Sequence, residues 1–261
     1  MTIVKLAITG KGGVGKTTLA SLLAGVYAAD GHQVLAIDAD PDANLAAALG
    51  FPADVVTDIV PIADMKELVE ERTGMKPGTI GGFFKLNPRV DDIPDRFCAT
   101  RDGIKLLVLG SVQHGGAGCI CPESVLLKSL VRHLLLGRKE VVILDMEAGL
   151  EHLGRGTASG VDAFIVVVEP GLRSLQTAVA IKKLAGEIGI QHCYAVGCKV
   201  TGDDDRRFIV ENLPGFTVLG YLSYNPQIME ADRRGSGVLE AAPQSVDEAR
   251  AVKDKLVHLT A

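Results

Sequence analysis

The chain of 261 residues has no tryptophan, and aromatic residues make up only 4% of it. Base-stacking platforms for single-stranded nucleic acid are therefore a poor expectation. No run of about 18 apolar residues exists, and the N-terminus passes directly into a strand-like segment, so neither a membrane span nor a secretory signal is expected. The cytoplasm is the default location. Basic charge is not in excess: 27 Lys and Arg stand against 32 Asp and Glu, a net charge of −5. Broad nucleic-acid coating needs a basic face, and the balance argues against one. Cysteine is too sparse and irregular for a disulfide scaffold, with only Cys98, Cys119, Cys121, Cys193 and Cys198. In a reducing compartment such residues are buried hydrophobes or metal ligands.

What remains is ordinary in bulk, 47% hydrophobic and 23% charged, enough to bury a full core. Short apolar runs alternate with helical patterns. Val4–Ile8, Val34–Ile37, Lys105–Leu109, Val141–Leu144, Ala163–Val168, Tyr194–Val196 and Thr217–Leu219 read as strands. Most are continuously apolar, which suits strands buried on both faces. Lys16–Ala29, Ser124–Leu136 and Ser174–Ile188 read as helices between them, and Ser245–Leu259 as a closing helix. The rhythm predicts an α/β fold: one domain with a doubly wound, mainly parallel sheet. Two segments break it. Gly74–Thr100, with Gly74, Gly78, Gly81 and Gly82 and three prolines, reads as a long loop of the functional or mobile kind. Gly110–Cys121 is rich in glycine and leads into a helix opened by Pro122.

Glycine is the outlier, 30 residues, and its strongest cluster is Gly10-Lys-Gly-Gly-Val-Gly-Lys-Thr-Thr18. It matches G-x-x-x-x-G-K-[ST] between a strand and a helix, the context in which that pattern forms a phosphate loop. Backbone N–H groups of Gly12, Gly13, Val14 and Gly15 would turn toward phosphate oxygens, with Thr18 in the following turn and the helix dipole behind them. Lys16 would neutralise the β- and γ-phosphates of ATP, and the Thr17 hydroxyl would ligate Mg²⁺. Asp38-Ala-Asp40-Pro-Asp42 ends the second strand at the carboxyl ends, where α/β sheets bind ligands. Asp before Pro is also a common turn opener, an alternative that weighs more for Asp42 than for Asp40 without outweighing the site reading. The strand ending in Asp145, the fourth in this reading, has the Walker B form, its carboxylate facing Mg²⁺ through water. Gly149 would let the following backbone swing.

In Cys119-Ile-Cys121, residues i and i+2 of an extended segment point the same way, so both thiols could meet one ion. A helix N-terminus beside them favours thiolate, and thiolates select Zn²⁺, Cu⁺ or Ni²⁺. Two ligands leave a four-coordinate site half filled. A two-fold-related pair from a second subunit would complete it, as would His114 or Cys98 within one chain. Two inert neighbouring cysteines are the plainer alternative. Cys193 and Cys198 read as core.

The KGGVGKT form, with Lys11 at the start of the loop, resembles the deviant Walker A family of dimeric ATPases. The resemblance implies that Lys11 reaches across a homodimer to the partner's phosphates, as an arginine finger does; the alternative is a contact with its own phosphate. It further implies that Asp40, in switch I, orients the attacking water, giving Lys11, Lys16 and Asp40 the catalytic roles. Adding Asp38-Ala-Asp-Pro-Asp42, Cys119-x-Cys121 before Pro122, and Asp145-Met-Glu-Ala-Gly-Leu-Glu-His-Leu-Gly-Arg-Gly-Thr157, the chain resembles the CooC-type nickel ATPases, accessory proteins for carbon monoxide dehydrogenase and acetyl-CoA synthase. That likeness implies a nucleotide- and metal-dependent homodimer with Ni²⁺ (or Zn²⁺) between paired Cys119 and Cys121, and a client apo-enzyme of one of those two kinds. It implies neither a nucleic-acid nor a membrane partner. Two positions depart from the family. Gly197-Cys198-Lys199-Val200 replaces an Asn-Lys-Val whose amide reads adenine, and Glu147 stands where a small residue is common. Two rival readings are a partition- or division-type organiser of DNA or membrane, and an iron–sulfur electron carrier.

Overall fold

A computed structural model describes residues 4–78, 83–111, 121–150, 153 and 155–260. His114, Gly115, Gly116, Gly118, Cys119, Glu151, His152, Gly81 and Gly82 lie outside the described residues. The strands are β1 (Lys5–Gly10), β2 (Val34–Ala39), β3 (Ala99–Arg101), β4 (Ile104–Val108), β5 (Val141–Met146), β6 (Ala163–Val168), β7 (Cys193–Val200) and β8 (Thr217–Ser223). They form one sheet in the order β3-β4-β2-β5-β1-β6-β7-β8, in which only the β3–β4 pairing is antiparallel.

Successive residues of the central strands enter two different cores. Leu6, Ile8, Ala36 and Ile143 pack on one face, and Ala7, Leu35, Ile37 and Leu144 on the other. That two-sided burial is why these strands are apolar throughout. On the first face lie α1 (Lys16–Ala29), α2 (Leu45–Ala48), α3 (Ala53–Asp58), α10 (Pro226–Arg234), α11 (Val238–Ala241) and α12 (Pro243–Thr260). The second is covered by α4 (Lys66–Thr73), α5 (Ile93–Phe97), α6 (Pro122–Gly137), α7 (Arg155–Ala158), α8 (Leu172–Glu187) and α9 (Asp203–Asn212). The fold is the expected α/β class. Among the described residues no helix is long and apolar enough to cross a membrane.

The stretch expected to be one long loop is not. Its C-terminal part forms α5, opened by Pro94, and then β3. Asp102 and Gly103, both at positive φ (48° and 80°), make a two-residue hairpin into β4. The Walker B strand is consequently the fifth in the chain.

Candidate functional site: a phosphate loop beside two buried aspartates

β1 delivers the chain to the carboxyl ends of the strands at Gly10, whose φ is 152°. A Cβ there would lie 2.4 Å from the Val167 carbonyl oxygen of β6, so the loop can leave the sheet at this point only through glycine. Val14 is buried beneath the loop, and Gly15, at φ 106°, caps α1 without a side-chain hydrogen bond. The first-turn N–H groups of α1 are therefore left for an anion. Lys16 is buried to 7% exposure, and its ammonium lies 3.7 Å from Asp40 Oδ2. The aspartate expected to orient water is thus ion-paired to the phosphate-loop lysine.

Asp38 and Asp145 face each other in register on β2 and β5, both fully buried. Asp38 is held by the N–H groups of Leu45 (2.9 Å) and Asp40 (3.2 Å). Burial pushes its carboxyl up to about 6 despite them. Asp145 is different. Burial pushes it up to about 7, with nearby Asp38 and Asp40 adding to the rise and Thr17 and Lys16 opposing it. Thr17 is near enough to act on it, yet neither Asp145 oxygen has a hydrogen-bond partner. A buried carboxylate with two orphaned oxygens beside a threonine hydroxyl is a donor set suited to Mg²⁺ and its waters. Asp42 is exposed, and its N–H closes a turn on Asp40 Oδ1 at 3.1 Å, as the turn reading had it. A cleft of 240 Å³ opens beside Thr17 and Thr18, with Asn44, Ile228, Met229 and Asp232 in its walls.

Three contacts at this site carried no sequence expectation. Thr9, fully buried, donates to the Glu147 carbonyl at 2.7 Å and so ties the phosphate-loop strand to the segment after Asp145. A single hydroxyl residue closing an apolar strand was the available signal. The Gly149 N–H also turns back to the Glu147 carbonyl, at 2.8 Å. The third contact arises where the β7–β8 register shifts. This irregularity places Lys199 at φ 58° and sends its ammonium to the Gly13 carbonyl (2.5 Å) and Glu169 Oε2 (3.2 Å). Cys198 faces inward and is 3% exposed, and its Sγ would lie 3.6 Å from a Cβ at Gly15. It is a floor under the loop, with its thiol pushed up to about 12 by burial. Lys11 is half-buried, and its side chain makes no hydrogen bond or ion pair among the described residues.

Cys121 is 6% exposed and extended (φ −112°, ψ 160°), the N-cap of α6, with Pro122 at the first helical position. β4 ends and α6 begins at the carboxyl ends of the strands, where the phosphate loop also lies, although α6 packs on the opposite face from α1. Cys98 is not brought to that end. The charged neighbours of Cys98 are Lys105, Arg138, Asp95 and Glu140, where α6 ends, and a 16-residue helix spans roughly 24 Å. Burial also pushes the Cys98 thiol up to about 12, so the single-chain ligand set that included it is not supported. Cys193 is half-buried at the edge of the core, less enclosed than a core residue. Among the described residues no three His, Cys, Asp or Glu side chains gather to hold an ion.

The family model of the CobQ/CobB/MinD/ParA nucleotide binding domain matches residues 5–238. The chain belongs to this family. Carbon monoxide dehydrogenase accessory protein CooC of Rhodospirillum rubrum is 47% identical over 97% of this chain and 96% of its own length, which marks the CooC-type, deviant Walker A branch. An uncharacterized ATP-binding protein of Methanocaldococcus jannaschii is 45% identical over 90% of each chain. Among solved structures, the MinD cell division protein of Aquifex aeolicus superposes with a TM-score of 0.66 at 21% identity, covering 97% of this chain and 98% of that one. At that identity the match speaks for the fold alone. The Gly10–Thr18 segment leaves β1 beside the buried aspartates of β5 and, one strand further, β2, both on the same side of β1.

Proposed function

We propose that the protein is an ATP-hydrolysing metallochaperone. It would act as a homodimer and deliver nickel, carried on Cys119 and Cys121, to carbon monoxide dehydrogenase or acetyl-CoA synthase. The observation that carries this reading is the near full-length likeness to CooC, at 47% identity. The placement of Cys121 supports it: a buried thiol at a helix N-terminus, at the end of the strands that holds the phosphate loop.

The nucleotide chemistry follows from the site. Triphosphate enters where Lys16 meets Asp40, so the incoming phosphates take over the ammonium and free the switch I carboxylate to hold water. Mg²⁺, when bound at Thr17 and Asp145, neutralises charge that develops on the phosphates. Gly12–Thr18 cradles the phosphates, Lys199 buttresses the loop at Gly13, and Lys11 of each subunit completes the other's site. Loss of the γ-phosphate lets Asp40 return to Lys16, and this resets switch I and opens the dimer.

The deciding experiment is an anaerobic nickel titration of chelator-stripped protein with and without ATP, reading mass and metal content together. One Ni²⁺ per dimer is expected, lost in Cys119→Ala/Cys121→Ala. Absence of nickel binding under ATP would sink the reading. Lys11→Gln should keep ATP binding and lose hydrolysis. Hydrolysis by Lys11→Gln at the wild-type rate would remove the intersubunit role.

A further inference from the structure

The one hydroxyl of β1 sits where the ladder to β5 stops. Pairing between these strands runs from Lys5–Val142 to Ile8–Asp145. Past that pair β5 continues beside β2, at Ala39–Met146, while β1 continues beside β6, at Thr9–Val166 and Gly10–Val167. The next link between β1 and the chain after Asp145 is the Thr9 side chain. Thr9 is fully buried, and its Oγ1 donates to the Glu147 carbonyl at 2.7 Å, with the Gly149 carbonyl 3.4 Å away. The Gly149 N–H shares the Glu147 carbonyl at 2.8 Å, so Glu147–Gly149 is a tight turn pinned to β1.

Packing accounts for the apolar residues of β1 but not for this one. A buried hydroxyl is tolerated only with a partner, whereas valine would fill the same space without one. The partner lies two residues past Asp145, and the next residue along β1 is Gly10, where the phosphate loop leaves the sheet. One hydrogen bond thus sets the phosphate loop against the segment that follows the buried aspartate. Asp145 does not depend on it, because pairing with Ile8 on one side and Asp38 on the other holds its backbone. What depends on it is where the chain after Asp145 becomes free to move. With the Glu147 carbonyl anchored, Gly149 is the first glycine beyond the pin, where the backbone can turn at least cost. We propose that Thr9 is a positioning residue for ATP hydrolysis, acting through the Glu147 carbonyl to hold the Glu147–Gly149 turn in register with the phosphate loop. Its effect falls on turnover and not on nucleotide binding. This rests on the ATP hydrolysis proposed above and on none of the metal chemistry.

Thr9→Val removes the hydroxyl at nearly constant shape, and Thr9→Ser keeps it. Wild type and both variants are compared by steady-state phosphate release over a range of Mg²⁺–ATP, with ATP affinity and melting temperature as controls. For T9V the expected kcat is lower by about 3- to 10-fold, the scale of one hydrogen bond. KM and ATP affinity should be unchanged, and melting should fall by no more than about 4 °C. Hydrogen exchange in the peptide covering residues 145–150 should be faster than in wild type. T9S should recover most of kcat, which a purely structural role for the methyl group would not require. Thr9→Cys, of similar size but a poor donor, keeps the question open to test should T9V fail to fold: its kcat is expected below that of T9S, and equality would overturn the role. So would T9V at wild-type kcat, a loss confined to KM, unchanged exchange, or T9S as slow as T9V. No hydrolysis by wild type would overturn the ATPase reading and this role with it.

Discussion

The two ends of the parallel strands treat charge in opposite ways. At the amino ends the described charged side chains are tied to one another and to backbone carbonyls, although burial still holds the Lys5 ammonium down at about 8. Arg138 bonds Glu140 (2.5 Å) and Asp95 (3.1 Å), Lys105 joins Asp95 (3.1 Å), and Lys5 gives its ammonium to the Arg138 and Glu140 carbonyls. At the carboxyl ends Asp145 has no partner, Asp38 faces it, and Lys16 meets Asp40 only at 3.7 Å. One end is finished as a scaffold. The other is left short of positive charge, and its acids rise to about 6 and 7 because burial outweighs what Lys16, Thr17 and backbone N–H groups offset. Uncompensated burial marks where a ligand supplies what the fold withholds.

The comparison breaks most visibly at Lys16. Lys16→Ala should cut ATP turnover by about 10²- to 10³-fold, the scale for a group aimed at developing charge, in a steady-state phosphate-release assay. Asp145→Asn should lower Mg²⁺-dependent hydrolysis to a similar degree while raising the melting temperature of nucleotide-free protein, since a neutral amide suffers less from burial, by about 1–3 kcal/mol. A fall in that melting temperature would contradict the charge-deficit account.

The same account fixes a pH dependence. Asp38 and Asp145 have folded values above the ordinary carboxylate range, so between about pH 4 and pH 7 the folded state binds more protons than the unfolded one. Their penalty is absent below that window and complete above it. Nucleotide-free protein should therefore lose stability as pH rises from 5 to 7.5, and Asp145→Asn should flatten the slope in a differential scanning series. Stabilisation by Mg²⁺–ATP should grow over the same range.

At the amino ends the outcome reverses. Arg138→Met leaves Glu140 and Asp95 with Lys105 as their remaining cation and should destabilise by about 1–3 kcal/mol in denaturant unfolding, with turnover unchanged. The smallest effect belongs to the fully exposed Arg89–Asp91 pair: Arg89→Ala should leave the melting temperature where it was.

Much of this fold could be read from residue pattern. Ala163–Val168 was located to the residue, and the Gly10–Thr18 loop, Asp38 and Asp145 stand where strand endings implied. Long apolar strands and a loop defined by glycine spacing are local signals, which is why they survive without tertiary information. β3 was missed although Asp102-Gly103 is a hairpin signal, because the proline-rich segment before it read as irregular. The core expectation for Cys198 was met in its burial. That it floors the phosphate loop depends on a shift in strand register between β7 and β8, and a register shift leaves no periodic mark. Thr9 was passed over because what distinguishes it is a partner across 138 residues of chain.

The three-residue strand β3 has a consequence for how copies of this chain can meet. It turns back on β4 through Asp102-Gly103 and ends at Arg101, whose guanidinium is engaged by Asp102 and Glu240. β4 would otherwise offer an open ladder of backbone groups to any extended segment, the usual route to uncontrolled strand addition. So short and charged a cap leaves little to extend. Continuation of the sheet past β4 is thereby discouraged, and the longer end strand is β8 at the opposite edge.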